Sequence, residues 1–152
     1  MAKMPALKDI AYVGIQLSLF VLYIIPFHLF PINLYALAKT AGLLIGLIGL
    51  LLVLVAILQL NKSLSPFPTP KEGGTLIQTG LYKYIRHPIY SGIILTTIGF
   101  GIFDESIWKM GIGFLLWILF YFKSKYEEQL LLARFTGYKM YTENSYRFFP
   151  FM

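Results

Sequence analysis

The sequence predicts an all-α polytopic membrane helical bundle, and three observations carry that expectation. Hydrophobic residues make up 57% of the chain and charged residues only 13%, where an ordinary soluble domain has about a quarter of its residues charged. Long apolar runs recur, each bounded by polar or turn-forming residues, as membrane spans are. Glycines (13) and aromatics (17%) are plentiful; small residues let membrane helices approach closely, and aromatic rings anchor at the lipid–water boundary. All 152 residues are expected to form one membrane domain, with two spans in residues 1–60 and a loop, a helical hairpin and a tail in residues 61–152.

A span needs roughly 20 apolar residues, because about 30 Å of hydrocarbon is crossed at about 1.5 Å per residue. Residues 10–30 meet this, with Pro26 near their end, and residues 40–60 meet it more strongly. Gly42, Gly46 and Gly49 fall at helical spacing in the second run, which suits close helix packing. Residues 61–80, with Pro66, Pro68, Pro70, Gly73 and Gly74, read as a loop. Two shorter apolar runs follow, 89–103 and 106–122, separated only by Asp104 and Glu105, so they read as the arms of a hairpin. The second arm can continue through residues 123–135, where no Gly or Pro intervenes. From Thr136 onward the mixture of Tyr, Phe and polar residues reads as a cytoplasmic interfacial tail. Four transmembrane helices are therefore expected.

Four spans place Lys3, Lys8, Lys62, Lys71, Lys83, Arg86, Lys123, Lys125, Arg134, Lys139 and Arg147 on one side and only Lys39 and Lys109 on the other. Positive charge favours the cytoplasmic side, so both termini and the middle loop are expected there. The net charge of +6 thus flanks apolar runs and forms no single stripe, which points to membrane lipids as partners and not to nucleic acid. The first run is too long for a signal peptide and no small-residue cleavage site follows it. With no cysteine, disulfides, thiolate metal sites and cysteine nucleophiles are excluded. Two histidines, His28 and His87, are too few to suggest a metal centre.

The hairpin brings two polar stretches together. His87 lies about 17 residues before the tip and Glu127 about 22 after it, so their heights above the tip are comparable, roughly 26 and 33 Å. Pro88 suits the first turn of a helix, which puts His87 near a cap where unpaired N–H groups suit a ligand carboxylate. Taken singly, both stretches have ordinary explanations. Arg86, His87 and the tyrosines serve equally well as headgroup anchors, and Lys123 and Glu127, one turn apart, as an exposed pair worth a few tenths of a kcal/mol.

Together they form an ordered series: Gly80-x-Tyr82, Arg86-His87-Pro88-x-Tyr90, Glu127-Glu128-x-x-Leu131, Phe135-x-x-Tyr138-x-x-Tyr141 and Arg147-Phe148-Phe149-Pro150. The series resembles the isoprenylcysteine carboxyl methyltransferase family and its relatives among integral-membrane phospholipid methyltransferases, over residues 64–150. The resemblance implies an enzyme that uses S-adenosyl-L-methionine at the cytoplasmic face, on a lipophilic small molecule or lipidated substrate entering from the bilayer. It implies that His87 and Tyr90 contact the cofactor, that Gly80 and Tyr82 shape the approach, and that Glu127 and Glu128 close the far side. Gln78, Arg86, Pro88 and Tyr138 complete the implied cofactor set.

Glu128, Lys123 and Arg134 are the implied catalytic set, with Glu128 as base if the acceptor is an amine. A carboxylate acceptor is already ionised near neutral pH and needs no base. The chain departs from the family in having Lys123 where prenylcysteine-specific members tend to carry arginine, and Phe135-Thr136 where Phe-Gly is usual. Its four candidate spans are also fewer than in many relatives. Two other readings compete: a nicotinamide-dependent sterol-type reductase, whose C-terminal region is similar but which carries additional helices, and a non-catalytic lipid-binding helical scaffold.

Overall fold

The computed structural model describes residues 6–27, 32–70 and 73–149. They form five α-helices: α1 (Leu7–Ile24), α2 (Ala36–Leu60), α3 (Pro88–Phe103), α4 (Ile107–Arg134) and the short α5 (Tyr138–Glu143). Three of these, α1, α2 and α4, are long and apolar enough to cross a membrane, and α3 is a shorter apolar helix of 16 residues. The architecture is an all-α polytopic membrane bundle.

Helix boundaries follow local chemistry. The first apolar run was expected over residues 10–30, but α1 ends at Ile24 because Pro26 holds the preceding Ile25 extended, at φ −65° and ψ 123°; residues 28–30 of that run lie outside the described residues. The second span begins four residues earlier than expected, since Ala36, Leu37, Ala38 and Lys39 are good helix formers. Pro88 occupies the first turn of α3 with His87 at its cap, as the sequence predicted. Ser106 caps α4 by accepting from the Lys109 N–H at 3.2 Å. From there α4 runs unbroken for 28 residues, about 42 Å and so longer than the hydrocarbon layer.

Packing inverts the soluble pattern. On α2 the buried positions are Gly42, Gly46, Gly49 and Ala56, whereas Leu44, Leu47, Leu51 and Leu58 face outward. The glycines allow backbone contact with α3: a Cβ on Gly49 would lie 2.5 Å from the Thr96 nitrogen, and one on Gly99 would strike the Gly46 nitrogen. Such close approach supplies the dispersion contacts that hold helices together where lipid offers no hydrophobic drive. On its other side α3 packs along α4, with Gly101 against Met110 and Gly113 against Ile98. The core there gathers Ile94, Ile112, Leu116, Leu119, Phe120 and Phe148. From α1, the Tyr23 hydroxyl donates to the Thr97 carbonyl at 2.8 Å, while Trp108 of α4 donates back to the Leu22 carbonyl at 2.9 Å.

The tail, expected at the interface, is tied to the helices. Past α5 it docks beside the entry to α3: Tyr146 N–H donates to Tyr84 (2.9 Å), Arg86 N–H to Tyr146 (2.8 Å) and His87 N–H to Arg147 (3.1 Å), a short parallel pairing. The Ser91 hydroxyl donates to the Phe148 carbonyl. Tyr138, Tyr141 and Phe148 are buried while Lys139, Met140 and Tyr146 stay exposed, so the tail packs one face against the protein.

Candidate functional site

A cavity of about 310 Å³ lies where α3 begins and the last turns of α4 pass it, within the roughly 300–1,000 Å³ of small-molecule sites. Its walls include His87, Ile89 and Tyr90 at the start of α3, Lys123, Glu127 and Leu131 of α4, and Ile57 and Leu60 of α2. Gln16 of α1, residues 63–68 and 74–77 of the loop, Tyr82, Arg86, Phe135, Tyr138 and Tyr141 also line it. At the cap of α3 Pro88 has no N–H, and the first intrahelical bond is Ser91 N–H to the His87 carbonyl. The N–H groups of Ile89 and Tyr90 therefore precede the helical ladder at the cavity wall, a place that favours an anion.

The two adjacent glutamates point to different environments, being about 100° apart around the helix. Glu127 lines the cavity and accepts the Tyr90 hydroxyl at 2.8 Å, with His87 Nδ1 at 3.8 Å. Glu128, 7% exposed, is turned away from it. One of its oxygens accepts Arg86 Nε at 2.8 Å, Arg147 Nε at 3.2 Å and faces His87 Nε2 at 3.2 Å; the other accepts Arg147 Nη2 at 2.5 Å. Arg86 also donates to the carbonyls of Thr142 and Ser145. This hub joins α3, α4 and the tail. The bond to Glu128 raises the Arg147 guanidinium above its ordinary pKa, so that it stays charged.

Above the hub is an aromatic stack. The His87 and Tyr90 rings lie 5.3 Å apart and 3° from parallel, and Tyr90 continues onto Phe120 at 4.5 Å. Lys123 Nζ stands 5.3 Å from the Tyr90 ring centroid, a cation–π distance. The expected exposed pair of Lys123 with Glu127 does not form: Lys123 is 1% exposed and donates to Gln16 Oε1 (2.7 Å) and the Pro66 carbonyl (3.1 Å). Burial pushes the Tyr82 and Tyr138 hydroxyls upward in pKa and Tyr141 up to about 12. They are therefore neutral at physiological pH: the Tyr82 hydroxyl donates to the Ala56 carbonyl and the Tyr141 hydroxyl to the Tyr82 carbonyl, whereas the buried Tyr138 hydroxyl has no partner among the described residues.

Of the residues singled out in the sequence, Tyr82, Arg86, His87, Tyr90, Lys123, Glu127 and Tyr138 meet at the cavity. Gln78, Gly80, Pro88, Glu128 and Arg134 are not on its wall. Gln78 is exposed. Gly80, at φ +61°, starts a single-turn 3-10 helix (Gly80–Lys83) against Gln59, whose side-chain oxygen accepts the Leu81 N–H at 2.8 Å. Arg134 donates to the Pro70 carbonyl at 2.8 Å from an exposed position. Sequence reasoning gave no site role to Gln16, to the loop wall or to Tyr141, though Tyr141 stands in the motif series, and did not pair Arg147 with Glu128. Gln16 did carry a signal, since a polar residue within an apolar run usually faces protein or a polar cavity.

The profile of the family described as phospholipid methyltransferase matches residues 37–138, about two thirds of the chain. Among solved structures, the chain is similar to a eukaryotic intramembrane Ras methyltransferase, isoprenylcysteine carboxyl methyltransferase, solved without a monobody. The identity is 22% and the TM-score 0.72, over 97% of this chain and 54% of that one. The chain thus spans about half the length of that protein, and at this identity the likeness establishes a shared fold. A search of curated proteins found no match.

Proposed function

Because the chain belongs to the phospholipid methyltransferase family, we propose that it transfers a methyl group from S-adenosyl-L-methionine to a lipophilic acceptor at the membrane surface. The observation that carries the reading is the cavity in which Glu127, Tyr90 and His87 converge beside the open N–H groups of α3. Those groups fit the cofactor: a carboxylate and aromatic faces suit a sulfonium, and a helix N-terminus suits the cofactor's carboxylate. When bound, the cofactor supplies a methyl group already activated by positive sulfur.

The chain's own residues bind and align. Glu127, held by Tyr90, presents negative charge to the cavity; His87 and Tyr90 offer a flat wall; Tyr82, Tyr138 and Tyr141 exclude water from one side. Alignment alone supplies several kcal/mol in such a reaction. Glu128 is a positioning residue here, because two guanidiniums and an imidazole already occupy its oxygens and leave it a poor base. Arg134 and Gln78, which lie off the cavity wall, are given no role in this reading.

The reading includes four spans, with α3 sheathed by α2 and α4, and places the cavity and both termini on the cytoplasmic side, as the eleven-to-two distribution of Lys and Arg favours. A cysteine introduced at Ser65 should react from the cytoplasmic side and one at Asp104 from the other; the reverse pattern overturns the orientation. The activity is tested with methyl-labelled cofactor in liposomes holding acceptors of one head group and increasing tail length. Label should enter the lipid phase and rise with tail length until the tail is inserted, whereas label only on tail-free head groups contradicts a lipophilic acceptor.

A further inference from the structure

A second cavity, of about 430 Å³, opens along the seam between α1 and α4. It shares no wall residue with the first. Lys125, on its wall, comes two positions after the buried Lys123 and so points about 160° away from it around α4. The two helices run antiparallel, since Tyr12 stacks on Tyr126 at 5.8 Å while Leu22 meets Trp108. The groove is therefore graded along its length. Lys8 and Gln129 stand at one end, and Ile15 and Phe122, each seven residues further along its helix, lie about 10 Å deeper. The Tyr12 and Tyr126 pair lies between. Both lysines are exposed, and neither is in an ion pair among the described residues. Lys8 Nζ is 5.6 Å from the Tyr126 ring centroid and Lys125 Nζ 4.3 Å from that of Tyr121. The wall carries no acidic side chain, and Asp9, beside Lys8 in the chain, is fully buried.

We propose that this groove binds an anionic phospholipid from the leaflet that holds the start of α1 and the end of α4. Its phosphate meets Lys8 and Lys125, and one acyl chain lies along Ile15 and Phe122. Charge and shape together select that occupant. Two cations without a carboxylate favour an anion, and anionic headgroups concentrate at a bilayer surface. A soluble anion leaves the apolar end unfilled, and a second apolar helix would have to bury both lysines without partners. A lipid seated there touches α1 and α4 at once. It holds α1, and with it Gln16, against the wall of the first cavity. The site goes beyond the methyltransferase reading and does not rest on it. Its α1 half lies outside the residues matched by the family profile.

The test titrates the purified full chain, in neutral detergent, with dioleoyl phosphatidylglycerol, dioleoyl phosphatidylcholine and glycerophosphate, with melting temperature as the readout. Phosphatidylglycerol should raise it in a saturable way and bind at least about tenfold more tightly than either of the others, as two charge-assisted contacts and a seated tail allow. Lys8→Gln and Lys125→Gln should each weaken phosphatidylglycerol about fivefold, and Lys139→Gln, exposed on the tail, should leave its affinity unchanged. Ala11→Trp fills the groove wall while keeping both lysines, and should weaken the same lipid at least as much. Phosphatidylcholine or glycerophosphate bound as tightly as phosphatidylglycerol overturns the anionic-lipid site. So does an equal loss in Lys139→Gln, or an affinity untouched by Lys8→Gln, Lys125→Gln or Ala11→Trp. S-adenosylhomocysteine binding should be the same in all four variants and the wild type; its absence from the wild type overturns the methyltransferase reading and leaves the lipid site standing.

Discussion

The α3–α4 pair carries charged residues at both ends, and the two ends are built differently. At the turn, Asp104 pairs with Lys109 five residues on, and Glu105 accepts the Leu34 N–H at 2.8 Å and Lys39 Nζ at 3.0 Å, in partly exposed surroundings. At the cavity end, Glu128 is buried and holds Arg86, His87 and Arg147 from two other segments. Exposed pairs stabilise little, so the turn fixes chain direction and not much else. A buried ionic hub is costly to desolvate and no better for stability than apolar packing. Its presence beside the cavity makes sense as a device for orientation: it fixes His87 and ties the tail to the entry of α3.

Glu128 is where that contrast is tested hardest. Glu128→Ala leaves two guanidiniums without their carboxylate and should cost about 3–5 kcal/mol, seen as a large fall in melting temperature in detergent, whereas Glu105→Ala should leave it near the wild-type value. Equal falls would show that the two ends do the same work. Next comes the packing that supports both ends: Gly99→Val drives a side chain into the α2 backbone and should cost about 1–3 kcal/mol in the same assay. Within the cavity, Glu127→Gln should weaken S-adenosylmethionine by about 1–3 kcal/mol and the product S-adenosylhomocysteine, a thioether, by less, since only the former presents a sulfonium to the carboxylate. Equal losses measured by calorimetry would remove Glu127 from that role.

The smallest effect concerns pH. Tyr141, raised by burial from 10 to about 12, contributes stability that is complete below pH 10 and is lost as pH rises through about 12. Melting temperature should therefore carry no Tyr141-dependent change between pH 7 and 9.5, and Tyr141→Phe should flatten the fall above pH 10.

What the sequence made legible was whatever depends on neighbours along the chain. Apolar runs located the four apolar helices, three of them long enough to cross a membrane, Pro88 located the cap at His87, and counting residues from the tip brought Glu127 opposite His87. Those inferences need only helix rise and period. The end of α1 was misplaced because apolar content continues past Pro26 even though the helix does not. The role of Glu128 was hidden because its partners Arg86 and Arg147 lie 42 and 19 residues away, and no local pattern says that a Tyr- and Phe-rich tail pairs its backbone with residues 84–87. Gln16 and Lys123 are 107 residues apart; the polarity of Gln16 in an apolar run is a local signal, but no local pattern names its partner.

The central claim is that the cavity beside His87 and Glu127 holds S-adenosylmethionine. Isothermal titration of S-adenosylhomocysteine into the purified full chain in detergent tests it most directly, since the product occupies the same place without turnover. Saturable one-to-one binding that raises the melting temperature and is weakened by Tyr90→Ala is the predicted result. No heat of binding and no stabilisation at millimolar ligand, by protein shown to be folded, contradicts it.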